Sequence, residues 1–315
     1  MDIDRTSLNR RDAIKLGLGM GAGLALLRDP LYAQAAQSSL VTKPIPSSGE
    51  RLPIVGIGTA RRYDVGTAEA ERAPLRDVLR EFPRLGGRLV DTAPGYGNAE
   101  SVVGDLVGEI GNRDQLFFAT KVGSGRQGRE AGIAEMEASF RKLKTDRIDL
   151  IQVHNLNAPG TMLPVLREWK QAGRIRYQGV TTTSDQQYTE LERLLRTEQM
   201  DFIEVDYAVD NRGVDERILP LAADRGVAVL VALPFGRGRV QQAFGARPVP
   251  GFAKELGIET WAQFALKYVV SHPAVTVAIP GTAKMAYLTD NIRAAIAPLP
   301  DEATRRQMVR WLEQS

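Results

Sequence analysis

Arg88-Leu89-Val90-Asp91-Thr92-Ala93-Pro94-Gly95-Tyr96-Gly97 is the stretch that decides the fold. An apolar run ends on an aspartate and opens into a glycine-rich turn that carries a tyrosine. The same arrangement recurs twice downstream. Leu116-Phe117-Phe118-Ala119-Thr120-Lys121 ends on a lysine, and Ile148-Asp149-Leu150-Ile151-Gln152-Val153-His154 ends on a histidine. In a parallel α/β protein the carboxyl ends of such strands share one rim, and active sites form there.

Working outward, strand-like runs fall at 54–57, 88–91, 116–121, 148–154, 175–180, 202–206, 227–232 and 275–279. Helical periodicity fills the intervals at 68–85, 99–110, 133–143, 162–172, 187–197, 216–225 and 260–271, and one more helix at 284–295 follows the eighth strand. Strands alternating with helices imply a parallel sheet, and a count of eight favours a closed (β/α)8 TIM barrel over an open doubly wound sheet. Glycines at the helix ends, as in Leu85-Gly86-Gly87, Ala172-Gly173 and Arg225-Gly226, suit the left-handed residue that terminates a helix. Two short runs, 40–43 and 51–53, are separated by Pro44, Pro46 and Ser47-Ser48-Gly49, which predicts a small hairpin ahead of the barrel. Beyond Pro298 and Pro300, the charged segment from Asp301 predicts an appended C-terminal helix.

Composition narrows the function. Of 315 residues, 43% are hydrophobic and 25% charged, a globular balance. With 41 Lys and Arg against 38 Asp and Glu, there is no basic stripe, and nucleic acid is not an expected partner. The chain has no cysteine and only two histidines, His154 and His272, so no disulfide, thiolate metal site or ordinary zinc set is expected. No Gly-x-Ser-x-Gly elbow follows a strand, which argues against a serine hydrolase.

The amino terminus carries a separate message. Asn9-Arg10-Arg11-Asp12 precedes Leu16-Gly17-Leu18-Gly19-Met20-Gly21-Ala22-Gly23-Leu24, and Ala33-Gln34-Ala35 has the small-x-small form of a cleavage site. Four alternating glycines would weaken a buried helix, and the apolar stretch is too short to span a bilayer comfortably. Residues 1–35 resemble a twin-arginine signal peptide. The expected organisation is therefore a signal at 1–35 and a barrel at 36–315, with the twin-arginine translocase as a partner. A periplasmic or otherwise exported location follows, with no stable membrane insertion.

Taken singly, an aspartate or lysine at a strand end is commonly a cap or a solvated ion. Together, Asp91, Tyr96, Lys121 and His154 at one rim point to chemistry. Their order and strand-end placement, with the Asp91-Thr92-Ala93-Pro94-Gly95-Tyr96-Gly97, Ala119-Thr120-Lys121-Val122 and Gln152-Val153-His154 motifs, resemble the aldo-keto reductases from about Arg51 to Ala295. That resemblance implies reduction of a small aldehyde or ketone by hydride from nicotinamide, since no side chain supplies a hydride. It implies Tyr96 as general acid, its phenol (ordinarily near 10) assisted by the Lys121 ammonium, with Asp91 holding Lys121 and His154 orienting the carbonyl.

On the cofactor side, the resemblance implies NADP, with NAD as the alternative. The family's Ser-Asn pair after the fifth strand falls at Thr181 and Thr182, and its sixth-strand glutamine falls at Glu204. Its stacking tyrosine falls at Ala232. The turn Phe235-Gly236-Arg237-Gly238 is the candidate pyrophosphate cradle. Thr282, Lys284 and Asn291 match the adenosine-phosphate end, whereas the usual 2′-phosphate cations fall at Gly281 and Tyr287. These departures leave a second class of function: an exported barrel that binds a ligand or nucleotide with little or no turnover.

Overall fold

In the computed structural model, residues 40–314 are described; the signal-peptide reading of 1–35 lies outside them. Eight parallel strands alternate with helices. A two-stranded hairpin, β1 (Thr42–Pro44) and β2 (Arg51–Pro53), comes first. The barrel follows as β3 (Ile57–Gly58), α1 (Glu69–Arg84), β4 (Leu89–Asp91), α2 (Ala99–Ile110), β5 (Phe117–Val122), α3 (Arg129–Lys142), β6 (Ile148–Val153) and α4 (Pro159–Gln171). It continues as β7 (Ile175–Thr182), α5 (Tyr188–Thr197), β8 (Phe202–Asp206), α6 (Ile218–Asp224) and β9 (Ala228–Ala232). A short α7 (Arg239–Phe244) precedes α8 (Trp261–Val270), β10 (Val277–Ala278), α9 (Met285–Arg293) and α10 (Glu302–Gln314).

The sheet runs in sequence order from β3 to β10. Its two ends meet through parallel bridges Val55–Ala278 and Gly58–Gly281, which close the ring. Closure leaves no strand edge to be capped. The expected first and last strands shrink to two residues each, because much of the bonding at this seam runs through isolated contacts such as Gly56 N to Ala278 O at 2.8 Å. The expected helix at 133–143 begins four residues earlier, at Arg129, on the left-handed Gly128.

Side chains of alternate parity fill the ring. Leu89, Phe117, Ala119, Leu150, Tyr177, Phe202, Leu230 and Val277 form one buried cluster, and Ile45 and Leu52 of the hairpin region join it. The hairpin thus plugs the amino-terminal end of the barrel. Glu50 secures the plug by accepting from Arg88, Arg176 and the Tyr177 hydroxyl. Lys43 Nζ donates to the carbonyls of Val270, His272 and Val275 at 2.8, 2.6 and 2.7 Å, satisfying oxygens left free where α8 ends. At the other flank, α10 packs Trp311 against Trp261 and Phe244, with ring centroids 5.5 and 5.7 Å apart. No helix among the described residues is long and apolar enough to cross a membrane.

Candidate active site

With the amino end plugged, chemistry is confined to the carboxyl rim. Strand alternation selects what faces inward there. Asp91 continues the parity of Leu89, Lys121 that of Phe117 and Ala119, Gln152 that of Leu150, and Glu204 that of Phe202. The strand register puts Lys121 opposite Gln152 and Thr181 opposite Glu204. Backbone strain gathers at the same end. Of seven non-glycine residues with positive φ among the described residues, six (Arg61, Asn155, Leu156, Ala158, Leu233 and Arg237) lie in loops that follow barrel strands. Such conformations cost of order 1–3 kcal/mol each and persist where the surroundings impose them.

Lys121 is the centre. Its Nζ donates to Asp91 Oδ1 and Oδ2 at 2.7 and 2.6 Å and to the Thr92 carbonyl at 3.0 Å. Glu204 Oε2 lies 3.3 Å from the same nitrogen. The Lys121 side chain is wholly buried, and the Asp91 and Glu204 side chains nearly so. Tyr96 presents its ring with the centroid 5.1 Å from Lys121 Nζ. The His154 ring stands edge-on to it, with centroids 5.9 Å apart and planes at 83°. The four residues expected to act together are therefore brought together.

The Tyr96 turn is fixed from outside the quartet. Asp64 Oδ1 accepts from the Asn98 N–H at 2.9 Å, just ahead of α2. Between them, Gly97 has φ +61°, and a Cβ there would lie 2.2 Å from Asp64 Oδ1. Only glycine meets both conditions without displacing the loop.

Electrostatics follow from the burial. His154 is pushed down to about 4 by its buried position and by the Lys121 charge, so it is neutral near pH 7. Burial drives the Tyr96 phenol up to about 12; Lys121 pulls it down, and Asp91 and Glu204 oppose that pull. The expected lysine assistance is present, but the two carboxylates and desolvation outweigh it. Asp91 is held above the usual carboxylate range by burial and by Glu204, against the attraction of Lys121.

The residues expected to hold the cofactor are more dispersed. Thr181 lies on the inward parity with its hydroxyl accepting from Asn155 N at 3.1 Å. Thr182 has the opposite parity, and its hydroxyl donates to Gln187 Oε1 at 2.5 Å and accepts from Ser184 N at 3.1 Å. Glu204 accepts from Gln152 Nε2 at 3.0 Å in addition to its contact with Lys121. Gln152, Asp206 and Asp64 are the parts of this rim that the motif pattern did not single out. Gln152 was legible as the inward residue two before His154.

The Phe235–Gly238 turn after β9 winds tightly, with φ positive at Gly236, Arg237 and Gly238. The Gly236 and Gly238 N–H groups bond within it, to Leu233 O and Phe235 O, both at 2.9 Å. Arg237 pairs with Asp206 Oδ2 at 3.2 Å, and Arg239 with Asp210 Oδ2 at 2.6 Å. Thr282 and Asn291 are buried and bonded to each other, Nδ2 to Oγ1 at 3.0 Å. Lys284 is exposed, its ammonium 5.8 Å from the Tyr287 ring centroid.

Similarity to known proteins agrees with this geometry. The profile of the Aldo/keto reductase family matches residues 55–307. The chain is 31% identical over 255 residues to "Methylglyoxal reductase YeaE" of Escherichia coli (strain K12), covering 79% of this chain and 88% of the relative. It is 27% identical over 300 residues to the "NADH-specific methylglyoxal reductase" of the same strain, covering 81% and 89%. A solved aldo-keto reductase from Klebsiella pneumoniae in complex with NADPH superposes with a TM-score of 0.74 at 26% identity, over 86% of this chain and 95% of that one. Fold, rim geometry and family profile converge: the chain belongs to the aldo-keto reductase family.

Proposed function

We propose that this protein reduces small aldehydes or ketones with NADPH or NADH, using Tyr96 as proton donor. The observation that carries the proposal is the buried Lys121–Asp91 pair with the Tyr96 ring 5.1 Å from the ammonium and the His154 ring beside it. In that setting the phenol stays protonated at neutral pH, ready to give its proton to a carbonyl oxygen as that oxygen gains charge. Neutral His154 offers one ring N–H to the same oxygen and orients it. Asp91 keeps Lys121 charged and fixed, and Lys121 stabilises the phenolate left after transfer.

The residues present suit a nicotinamide cofactor. Gln152 Oε1 and Asp206 Oδ1 are buried acceptors on the inward parity with no hydrogen-bond partner among the described residues. An orphaned buried acceptor costs about 1–3 kcal/mol, and an amide NH2 offers the protons such oxygens lack. The cofactor supplies the hydride. Thr181 and Glu204 would serve the nicotinamide end, Phe235, Gly236, Arg237 and Gly238 the pyrophosphate, and Thr282, Lys284 and Asn291 the adenosine end. NADP is the first choice, because the solved relative binds NADPH, and the NADH-specific relative supports NAD as the alternative. The two Escherichia coli relatives make methylglyoxal the first substrate to assay. Residues 1–35 are proposed as a twin-arginine signal that exports the enzyme.

The test is a fluorescence titration of the purified protein with NADPH and NADH, followed by turnover of an aldehyde panel. Binding with turnover is the expected result. Binding without turnover would favour the alternative of an exported barrel that binds a ligand or nucleotide with little or no turnover, and no binding of either nucleotide would sink the reductase reading.

A further inference from the structure

Lys121 carries three ammonium protons, and the barrel offers it more acceptors than that. Both Asp91 oxygens and the Thr92 carbonyl lie within 3.0 Å, and Glu204 Oε2 lies at 3.3 Å from the opposite side of the ring. Gln152 steers Glu204 into this position by donating from Nε2 at 3.0 Å, and it faces Lys121 directly across the β5–β6 register. A phenolate at Tyr96 must draw on the same ammonium. Glu204 therefore competes with it twice: as a further claimant on the three N–H groups of Lys121, and by placing a second negative charge beside the one cation available.

From these contacts we infer that Glu204 is a positioning residue that acts through Lys121, restraining that lysine's stabilisation of the Tyr96 phenolate and so keeping the Tyr96 proton in place. The inference builds on the reading of Tyr96 as proton donor, but its physical content is a property of the cofactor-free protein. The charged and titratable groups facing Tyr96 are Asp91 from β4, Lys121 from β5, His154 after β6 and Glu204 from β8. His154 is neutral near pH 7. At the alkaline pH where Tyr96 would ionise, the immediate charge around it is one cation against two carboxylates, which adds to the upward push that burial gives the phenol. With an amide in place of Glu204, one carboxylate would face one ammonium. The hydrogen bond from Gln152 and the close approach to Lys121 would survive in Glu204→Gln, since an amide oxygen still accepts. Only the charge would go.

The direct experiment is an ultraviolet titration of tyrosine ionisation in the cofactor-free, full-length protein, with the Tyr96 component isolated by subtracting Tyr96→Phe. Circular dichroism at each pH confirms that the fold is retained. Wild-type Tyr96 should ionise well above free tyrosine. Glu204→Gln should raise its acidity by roughly tenfold or more, as expected for loss of one close like charge, while Glu204→Asp should keep the wild-type behaviour. A corresponding shift of the alkaline limb of kcat/KM should accompany the glutamine variant. The inference is overturned if wild-type Tyr96 ionises at or below free tyrosine, a result that needs no variant to fold. It is equally overturned if Glu204→Gln leaves the midpoint unchanged. A protein that passes this titration yet reduces no carbonyl compound would refute the reductase reading and leave the role of Glu204 standing.

Discussion

Lys121 Nζ sits within 2.7 Å of both carboxylate oxygens of Asp91, the lysine side chain being 0% and the aspartate side chain 3% exposed. Breaking a buried pair by removing one partner is costly because the other charge is stranded. Here the costs are unequal. Lys121→Met leaves Asp91 and Glu204 facing each other without a counter-charge, whereas Asp91→Asn leaves Lys121 with Glu204. Urea denaturation should show a loss of about 3–5 kcal/mol for Lys121→Met and a clearly smaller loss for Asp91→Asn. Equal losses would mean that Glu204 does not share the lysine.

Acid should weaken the fold through its two histidines. Burial is the first cause that lowers both His154 and His272 to about 4 from an ordinary 6.5, helped by Lys121 for the former and by Arg305 and Lys43 for the latter. As pH falls through 6.5 the unfolded chain takes up protons that the folded chain refuses, so stability declines towards pH 4 and then levels off for these groups. Replacing both histidines by glutamine should remove this part of the decline, so that the wild-type-minus-variant stability difference falls as pH drops across that window. A difference that does not change with pH would contradict the shifts.

Gly97 ties the Tyr96 turn to Asp64. Gly97→Ala imposes a positive-φ alanine, worth about 1–2 kcal/mol of strain, and drives a methyl into the Asp64 carboxylate. The expected signature is a fall in kcat of tenfold or more with a modest change in nucleotide affinity, since the tyrosine moves and the β9 loop does not. Parallel losses in both would show that the turn also supports the cofactor.

Much of this site is written along single strands. Asp91, Lys121 and His154 announce themselves because each ends an apolar run, and period-two alternation then assigns them to one face. Gln152 was readable by the same rule, two positions before His154. Glu204 was readable as the sixth-strand position but its partner was not: its ion pair with Lys121 joins residues 83 apart in sequence, across the inside of a closed ring. No local spacing encodes that contact. The loop after β9 was equally opaque, because α7 is only six residues long and its turn depends on positive φ at Leu233 and Arg237 as well as at glycines. Thr182 shows the converse case, where a motif match by position ignores strand parity and the hydroxyl turns to Gln187.

Export is testable independently of chemistry. The double change Arg10→Lys, Arg11→Lys should hold the protein in the cytoplasm, whereas the wild-type chain should fractionate outside it. Identical fractionation of the two would remove the twin-arginine assignment and leave the barrel's activity untouched.

The most direct test of the central claim is the rate at which NADPH or NADH is oxidised with a small aldehyde such as methylglyoxal, compared between wild type and Tyr96→Phe. Loss of a positioned general acid removes on the order of 10²–10⁴ in rate. The account predicts turnover by the wild type and a kcat reduced at least a hundredfold in the variant, with nucleotide affinity preserved. Wild-type rates in the phenylalanine variant would contradict it.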